Sequence, residues 1–447
     1  MLIPVRKGIL FLFGSEVVLL TAGAVGQITL SARSAEQFVD SMGINVHMEY
    51  AGTPYSDYPA INGQLRALGM KHIRDEINDT DPEFVRELLK IGTLGYGVCG
   101  LIEGGNDYPP LGARLQASAV VPMIQNLRPA IDAIEGPNEP DDGGFVYDGV
   151  AYPQGAIEES EDLWNTVKSS SEISDLPVLV MSEGNAQDYM QLAAITPPPI
   201  GYANFGNMHA YQGGRMGNYA LRDWYIRYSR DLTGDAPLWT TEMGYHNNTH
   251  YLSDGEQQGV SERASAIYLP IAFLSGFDLG VARTFSYELM DEVNDPELTS
   301  GSGEGHYGLL HYDGSPKPAY TALQSLIAVL RDSGPNFEPG SLRVTFAGAP
   351  KSLQAVLLEK SDGAYYLALW NDVPVYRPAT TQARGEDLYP PNVPVKITVS
   401  ETRQFTVYAP NDRSGANPTG QYTIATKFDS IELALPAEVL LVRIAAR

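Results

Sequence analysis

Two short runs contain most of the information in this sequence: EGPNEP at residues 135–140 and TEMGYH at residues 241–246. Each places a glutamate just after a short apolar stretch, at 130–134 in the first case and 237–239 in the second, that is typical of a buried strand. Two carboxyl groups at the ends of two strands of one sheet can act together, one as an acid and one as a base or nucleophile. Cleavage of a glycosidic bond requires such a pair.

The chain around these runs alternates between strand-like and helix-like segments from about residue 43 to residue 333. The strand-like segments are residues 44–50, 71–77, 96–103, 130–135, 178–182, 204–211, 237–242 and 281–287. Amphipathic stretches between them include 61–68, 82–91, 158–171 and 219–232, and a last helix is predicted at 317–331. Strands that alternate with helices in this way favour a closed parallel (β/α)8 barrel, the TIM barrel, over an open sheet.

The pattern changes after the last predicted helix. The run DSGPN at residues 332–336 breaks the helix, and from residue 341 the chain reads as short alternating strands. We therefore predict an α/β fold with a (β/α)8 barrel at residues 36–333, followed by a small all-β sandwich at residues 334–447. The sandwich is expected to brace the barrel, and glycan binding by its surface is the alternative.

The first 35 residues have the order of a secretory signal peptide. Arg6 and Lys7 precede an apolar stretch at 8–25, and small residues follow at positions 31, 32, 34 and 35. Glu16 interrupts the apolar stretch, so a membrane anchor or a start codon placed too early are alternatives. We expect a leader at residues 1–35 and a secreted or periplasmic protein.

The composition is that of an acidic globular protein, with 43% hydrophobic and 19% charged residues and a formal net charge of −24. That charge disfavours nucleic acids and anionic membranes, so we expect no nucleic acid partner and no membrane contact beyond a possible N-terminal anchor. It also disfavours polyanionic sugars as substrates. The single cysteine, Cys99, lies in an apolar segment and is predicted to be a buried, unreactive thiol. The sequence does not indicate an oligomeric state.

Polar side chains occur at the carboxyl end of every predicted barrel strand. In strand order these are His47 and Glu49, Arg74 and Asp75, Glu103, Asn138 and Glu139, Glu183 and Asn185, His209 and Tyr211, Glu242, and Tyr287 and Glu288. In barrel enzymes the carboxyl ends of the strands surround the active site. Ordinary loop polarity would explain one such position, but not a set that recurs on every strand. The sequence therefore predicts a substrate site at this end of the barrel.

This combination of residues resembles the clan A glycoside hydrolases, which are retaining (β/α)8 enzymes. The resemblance rests on NEP at residues 138–140, TEMG at residues 241–244, Arg74 after strand two and HAY at residues 209–211. A glutamate four positions before the acid, here Glu135, is similar to family 39, and a β-sandwich after the barrel is similar to families 39, 30 and 79. The triplet alone is a weak signal, whereas the whole combination is specific.

The resemblance implies a role for each matching residue. Glu139 matches the general acid/base, and Glu242 matches the nucleophile of a double displacement that retains configuration. Asn138 matches the residue that hydrogen-bonds the sugar 2-hydroxyl. Arg74 matches the arginine that pairs with the nucleophile, and Tyr211 matches a phenol that hydrogen-bonds the same carboxylate.

The remaining site predictions are less specific. His209 is expected to line the same wall as the phenol, and Glu135 is expected to lie behind the site. His47 and Glu103 are expected to contact the substrate. Many clan A members have a tryptophan at the end of strand eight, where this chain has Tyr287. An aromatic ring of either kind can stack on a sugar, so Tyr287 is predicted to replace that floor.

These features predict a retaining glycoside hydrolase that cleaves a β-linked oligo- or polysaccharide, with internal cleavage of a neutral polysaccharide as the leading prediction. An exo-acting β-glycosidase that releases single sugars, and a carbohydrate-binding barrel without catalysis, are the alternatives. The chemistry requires no metal and no cofactor. An acidic loop after strand eight leaves a calcium site as an alternative to a solvated loop; its residues are Asp291, Glu292, Asn294, Asp295, Glu297 and Glu304.

Overall fold

The computed structural model of the chain describes residues 27–102, 113–196, 201–251, 257–299, 301–411 and 421–446. Its strands are β1 (Ile28–Ser31), β2 (Arg33–Ser34), β3 (Met42–Asn45), β4 (His72–Glu76), β5 (Gly97–Leu101), β6 (Ile131–Glu135), β7 (Val146–Tyr147), β8 (Val150–Ala151), β9 (Val178–Leu179), β10 (Leu238–Met243), β11 (Val281–Ser286), β12 (Ser341–Ala347), β13 (Leu353–Glu359), β14 (Tyr365–Asn371), β15 (Tyr376–Arg377), β16 (Glu386–Asp387), β17 (Val393–Tyr408), β18 (Gln421–Leu435) and β19 (Leu440–Ile444). Its α-helices are α1 (Ala35–Asp40), α2 (Tyr58–Leu68), α3 (Pro82–Thr93), α4 (Ala117–Leu127), α5 (Gln154–Ser169), α6 (Tyr189–Ile195), α7 (Arg227–Thr233), α8 (Glu262–Asp278) and α9 (Pro318–Leu330). Short 3₁₀ turns lie at Pro54–Ser56, Ala186–Asp188 and Glu304–His306, and a π-helical segment, Leu221–Ile226, precedes α7.

A parallel sheet with the strand order β10-β11-β3-β4-β5-β6-β9 forms the centre of the first domain. Residues 204–210 close the sheet between its two edge strands. Their parallel bridges pair Leu179 with Phe205, Gly206 with Leu238, and His209 with Glu242. The backbone N–H of Met208 also donates to the carbonyl of Trp239 at 3.1 Å. The predicted (β/α)8 barrel is confirmed, with isolated bridges in place of a regular sixth strand.

The helices begin where the sequence supplies caps. The Asp81 side chain accepts the N–H of Glu83 at 2.8 Å, and Pro82 occupies the first turn of α3, where its missing N–H costs nothing. The Asp57 side chain caps α2 in the same way, and α2 ends at Gly69, whose φ of 90° places it in the left-handed region. These signals are local, which is why the helices could be predicted from the sequence.

A small apolar cluster fills the barrel directly beneath the polar end. It consists of Cys99, Ala133, Leu179, Trp239 and Phe285, with Phe205 packed against it. Cys99 is fully buried, as predicted, and its Sγ lies 3.8 Å from the Glu135 carboxylate. The apolar cluster therefore fills the interior next to the polar network, and the polar residues at the carboxyl ends of the strands face the open end of the barrel.

The second domain is an all-β unit with the strand order β1-β12-β17-β19-β14-β13-β2, and β18 pairs with β17. The first half of β17 pairs with β12, whereas its second half pairs with β19. A long strand that changes partners along its length passes from one layer of a sandwich to the other. The core between the layers includes Val344, Leu367, Ile397, Phe405 and Val442, all 0% exposed.

The all-β domain packs against the barrel through helix α8. This helix is apolar on all sides, and residues 264–277 are all buried. A helix without a polar face must be covered on every side, and here the barrel and the second domain cover it. The Tyr268 hydroxyl of α8 accepts the backbone N–H groups of Val375 and Tyr376 at 3.0 and 3.1 Å. This contact fits the predicted bracing role.

The N-terminal part of the described chain also belongs to the all-β domain. Strand β1 pairs antiparallel with β12, and β2 pairs parallel with β13. Since the chain from Ile28 onward is folded into this sheet, a cleaved leader would end before Ile28 rather than at residue 35. The rest of the predicted leader, residues 1–26, lies outside the described residues. Among the described helices, none has the length and apolar character needed to cross a bilayer.

Candidate active site

A cleft of about 780 Å³ opens at the carboxyl ends of the barrel strands. Its volume lies within the range of about 300–1,000 Å³ that is usual for small-molecule sites. The predicted site residues that line it are His47, Arg74, Asn138, Glu139, Tyr211, Glu242 and Tyr287. His209 lies directly behind this wall and is 1% exposed. Glu103 lies outside the described residues.

Arg74, at the end of β4, is the centre of a buried network and is 4% exposed. Its Nε and Nη2 donate to the two oxygens of Glu135 at 2.7 and 3.0 Å. Nη1 donates to Glu242 Oε1 at 2.6 Å and to Asn45 Oδ1 at 3.0 Å, and Nη2 donates to Asn138 Oδ1 at 2.7 Å. The bidentate contact with Glu135 fixes the plane of the guanidinium, which then holds Glu242 and Asn138 in place.

Glu135 lies behind the site, as expected, and does not line the cleft. It is 0% exposed. Besides Arg74, the Asn207 amide donates to its Oε1 at 2.9 Å and the Thr241 hydroxyl donates to the same atom at 3.0 Å. These donors satisfy the buried carboxyl oxygens of Glu135, and the group forms an ion pair with the Arg74 guanidinium. Glu135 is therefore a positioning residue.

Glu242 is held as an ionised carboxylate. The Tyr211 hydroxyl donates to its Oε2 at 2.6 Å, while Arg74 donates to Oε1. Burial by itself would raise the pKa of Glu242, but the charges of His209 and Arg74, together with the hydrogen bonds from Tyr211 and Arg74, outweigh it and hold that pKa below its ordinary value. A carboxylate that stays ionised and reaches the cleft is suited to nucleophilic attack.

His209 connects the two candidate catalytic carboxylates. Its Nδ1 lies 2.6 Å from Glu139 Oε1 and 3.5 Å from Glu242 Oε2. Burial lowers the pKa of His209, but the negative charges of Glu242 and Glu139 outweigh burial and raise it above the ordinary value. The Thr241 hydroxyl, 3.2 Å from Nε2, has an acceptor of its own in Glu135, so its oxygen is available to accept from Nε2–H. Both ring nitrogens are therefore placed to donate, as in an imidazolium.

The backbone at Glu139 adopts a conformation that is unusual for a residue with a side chain. Its φ of 42° lies in the left-handed region. The Glu139 N–H donates to the carbonyl of Ser182 at 3.1 Å, which ties the run to the end of the fifth barrel strand. A Cβ at Gly184 would lie 3.1 Å from the Glu139 carboxyl carbon, so the glycine leaves room for this side chain. Strained backbone of this kind is often found at functional residues.

The separation of Glu139 and Glu242 is short. One oxygen of each carboxylate and one His209 nitrogen all lie within 4.8 Å of one another. Retaining glycosidases place their two carboxyl groups about 5–5.5 Å apart, whereas inverting enzymes need about 6.5–9.5 Å to admit a water molecule. The same three groups are near enough to hold a metal ion. However, His209 pairs with both carboxylates, and Glu242 also accepts hydrogen bonds from Arg74 and Tyr211, so their charges are already compensated.

Tyr287 occupies the strand-eight position where the resemblance led us to expect a tryptophan. Its ring meets those of Tyr211 and Tyr307 edge to face, with centroids 6.4 and 5.5 Å apart. Its hydroxyl donates to Glu304 at 2.7 Å. The three rings all line the cleft and form an aromatic wall, so Tyr287 is in place to contact a sugar.

His47 lies on another part of the cleft wall, beside Glu49, Asp75 and Glu288. Its Nδ1 is 3.7 Å from Glu49 Oε1, and its Nε2 is 3.7 Å from Glu288 Oε2. Burial, together with the charge of Glu292, raises the pKa of Glu288 well above its ordinary value, and burial together with the charge of Glu49 does the same for the pKa of Asp75.

The acidic loop after strand eight is organised by side-chain contacts. Asp291 is 5% exposed and accepts from Lys317 Nζ at 2.7 Å. The carboxylate of Asp295 lies 3.5 Å from His306 Nε2. Asp291, the most buried carboxylate of this loop, is therefore paired with a lysine, and the choice between a calcium site and a solvated loop stays a prediction.

Sequence reasoning missed two asparagines in the network. Asn45 ends β3, where its Nδ2 donates to the carbonyl of Thr241 at 2.9 Å and its Oδ1 accepts from Arg74. Asn207 Nδ2 donates to Glu135 Oε1 at 2.9 Å, and its Oδ1 accepts the N–H of Met208 at 2.9 Å. Each lies two residues before a predicted site residue, His47 in one case and His209 in the other. Residues two positions apart on a strand point to the same side, so the positions two residues before His47 and His209 would have identified both asparagines.

No protein-family model matches the sequence, and a comparison with curated proteins gives no match. The structure is nevertheless similar to solved glycosidase structures. A family 39 glycoside hydrolase from Bacteroides cellulosilyticus WH2 gives a TM-score of 0.60 at 14% identity, over 92% of this chain and 82% of that one. A monomeric β-xylosidase from Caulobacter crescentus CB15 gives 0.58 at 13% identity, over 93% and 98%. A glucosidase from Croceicoccus marinus gives 0.55 at 13% identity, over 94% and 98%.

This chain has the fold of family 39 glycoside hydrolases. The predicted resemblance is confirmed at that level, including the order of a barrel followed by a β-sandwich. One fold can carry several activities, so the activity of this protein has to be argued from its own site.

Proposed function

We propose that this protein is a retaining β-glycosidase. The observation that supports it most directly is the pair of carboxylates, Glu139 and Glu242, with oxygens within 4.8 Å of each other in an open cleft. That spacing leaves no room for a water molecule between sugar and carboxylate, so one carboxylate has to attack the sugar directly. The similar structures, whose names include a β-xylosidase and a glucosidase, support the same class of reaction.

In the first step Glu242 attacks the anomeric carbon, and a bond forms from its oxygen to that carbon. The glycosidic C–O bond breaks, and Glu139 donates a proton to the leaving oxygen. In the second step Glu139 removes a proton from water, the water oxygen bonds to the anomeric carbon and Glu242 is released. Two inversions at one carbon give net retention.

The leaving-group proton is held jointly by His209 and Glu139. Their 2.6 Å contact allows the proton to move from Nδ1 to Oε1 as the glycosidic bond breaks. Because the negative charge of Glu242 helps to keep His209 protonated, consumption of that charge in the covalent intermediate favours release of the proton. Loss of the proton that His209 carries should therefore set the alkaline limb of activity.

Asn138 is prepared to bind a sugar hydroxyl. Arg74 donates to Asn138 Oδ1, which fixes the amide and leaves its Nδ2 as a donor toward the cleft. This agrees with the contact to the 2-hydroxyl that the resemblance implies. Such a bond strengthens in the transition state, when positive charge develops on the sugar ring.

A neutral sugar fits the charges of the cleft better than a uronate. Among the described residues that line the cleft there is one arginine, Arg74, and it is already matched by two carboxylates. The lining also includes Glu76, Asp141, Asp142, Asp188 and Glu304. An anionic sugar would meet these carboxylates without a free arginine to bind it. We further propose export of the protein, on the basis of the predicted leader.

The leading prediction for the cleavage pattern is internal attack on a polysaccharide. It rests on the long loops after strands three, four and eight, which would shape an open cleft. The loop after strand three includes residues 103–112, which lie outside the described residues. Release of single sugars is the second candidate, because two of the similar structures are named as a β-xylosidase and a glucosidase.

The test combines a panel of p-nitrophenyl β-glycosides of neutral sugars with a panel of neutral polysaccharides. Proton NMR of the first product should show the β-anomer before mutarotation, and an α-anomer would overturn the retaining mechanism. Mass analysis of polysaccharide digests separates the two patterns, because oligosaccharides indicate internal cleavage and monosaccharides alone indicate release from an end. Retardation on a glycan affinity gel with no product from any substrate would instead indicate a binding barrel.

A further inference from the structure

A second cluster of ionisable side chains occupies the cleft wall beside the Arg74 network. His47, Glu49 and Asp75 line the cleft, and Glu288 lies behind them, 0% exposed. They come from the ends of the first, second and eighth barrel strands. The steps of the reaction proposed above do not use Glu49, Asp75 or Glu288.

Each carboxylate of this cluster has an oxygen with no hydrogen-bond partner among the described residues. Asp75 Oδ2 accepts the N–H of Met48 at 3.3 Å, whereas its Oδ1 is unpartnered and the residue is 2% exposed. Glu288 Oε2 accepts from the Tyr55 hydroxyl at 2.7 Å, whereas its Oε1 is unpartnered. Both Glu49 oxygens lack a donor other than the neighbouring carboxyl group of Asp75. Buried carboxyl groups that face one another without other donors need a proton or a cation between them.

Three of these groups converge on one point. His47, Glu49 and Asp75 each offer an atom within 4.8 Å of the other two. The 3.7 Å between His47 Nδ1 and Glu49 Oε1 is too long for a hydrogen bond. Two ligands bound at about 2.0–2.2 Å to a single metal ion lie about 2.8–3.6 Å apart, so a small inward movement would bring both onto one ion.

The His47 ring is held in the orientation that a ligand needs. It stacks on Tyr50 with centroids 4.5 Å apart and meets the rings of Tyr55 and Tyr287 edge to face. With Nδ1 toward Glu49, its other nitrogen faces Glu288 Oε2 at 3.7 Å. Metal-bound histidines commonly direct their second N–H to a carboxylate, which sets the tautomer and strengthens the ligand.

We propose that His47, Glu49 and Asp75 form a binding site for a divalent transition-metal ion, with Glu288 orienting the imidazole. One imidazole and two carboxylates suit zinc or manganese, whereas calcium prefers oxygen ligands alone. Three protein ligands leave a coordination position open toward the cleft, where water or a sugar hydroxyl can bind. The prediction that the glycosidase chemistry requires no metal is unchanged by this site. It stands independently of the proposed glycosidase activity.

The test measures binding of Zn²⁺, Mn²⁺ and Ca²⁺ to the full chain by calorimetry after treatment with a chelator. We expect one zinc ion per chain, bound more tightly than calcium. Glu49→Gln and Asp75→Asn should each weaken zinc binding at least about tenfold, and Glu288→Gln by about the same factor. The matched control is Glu292→Gln, which lies on the Glu288 side of the ring and should stay within about twofold of the original affinity.

Zinc-edge anomalous diffraction from crystals of the unaltered protein locates the ion without any variant, so a variant that does not fold leaves the test intact. A peak between His47, Glu49 and Asp75 supports the proposal. A peak at Glu139 and His209, a dependence on Glu292 rather than Asp75, or an absence of stoichiometric binding would each overturn it.

Discussion

The Arg74 network and the His47 cluster lie on the same cleft wall and contain similar side chains, but their carboxyl groups differ in how many hydrogen bonds they accept. Around Arg74, both oxygens of Glu135 and both oxygens of Glu242 accept hydrogen bonds at 3.0 Å or less. Around His47, buried oxygens of Asp75 and Glu288 have no partner among the described residues. Both groups are buried at the ends of barrel strands, so burial alone does not account for the difference.

The comparison separates two ways in which a site is prepared. The Arg74 network is complete without a ligand, so it can hold the reacting carboxylates in place before substrate arrives. The His47 cluster is incomplete, and a cation would complete it. Substitutions should therefore have opposite effects on stability in the two places.

The largest expected effect is on catalysis by the paired network. Glu242→Gln removes the nucleophile and Glu139→Gln removes the acid, and each should lower kcat on a natural glycan by about 1,000-fold or more. A substrate with a good leaving group should restore much of the activity of Glu139→Gln but not of Glu242→Gln, because only the former needs a proton to be supplied. Steady-state kinetics with a glycan and with a dinitrophenyl glycoside measures both. Near-normal turnover of the glycan by either variant would contradict the assignment.

The next effect concerns the stability of the Arg74 network. Arg74→Met leaves Glu135 and Glu242 buried without their cation, and should lower the free energy of unfolding by about 3–5 kcal/mol. Urea unfolding followed by circular dichroism measures the change. The control is Arg86→Met, which breaks an exposed 2.8 Å ion pair with Glu83 and should produce no measurable change. An equally small change in the free energy of unfolding for Arg74→Met and Arg86→Met would show that the Arg74 network does not stabilise the fold.

A smaller effect of opposite sign is expected in the His47 cluster. Burial and the charge of Glu49 raise the pKa of Asp75 in the folded protein, which costs stability near neutral pH because the unfolded chain favours the ionised group. Asp75→Asn removes that cost, so in the metal-free protein it should raise the free energy of unfolding by about 1 kcal/mol. With saturating zinc the order should reverse, because only the unaltered site gains binding energy. The exposed Asp235→Asn serves as the control, with no change in either condition. A loss of stability in the metal-free variant would show that Asp75 is satisfied as it stands.

The smallest effect concerns the acid limb of the pH profile. The pKa of Glu242 is held below its ordinary value, so activity should persist at low pH and fall only as the pH drops through that lowered pKa. Tyr211→Phe removes a 2.6 Å hydrogen bond to the carboxylate and should move the acid limb of kcat/KM upward by up to about one pH unit. Tyr287→Phe, whose hydroxyl bonds Glu304 instead, should leave the limb in place. If the acid limb of Tyr211→Phe does not move, the Tyr211 hydroxyl does not help to lower the pKa of Glu242.

The parts of the fold that the sequence predicted are those encoded by local patterns. The strand near 72–76 and the helix that begins at Pro82 follow from apolar spacing and from the Asp81 cap, which act within a few residues. The sixth barrel strand was placed correctly in space, but it is formed by isolated bridges, which depend on both neighbours. Strand β1 could not be predicted, because its pairing with β12 joins residues about three hundred positions apart in the chain.

The same division holds for the site. The sequence by itself determined which residue types reach the open end of the barrel, because strand alternation and strand ends are short-range properties. It did not determine that Asn45 and Asn207 complete the Arg74 network, nor that Asp75 and Glu288 keep free oxygens beside His47. Tertiary structure decided these points, because hydrogen bonding and desolvation depend on distances of a few ångströms between strands that are far apart in the chain.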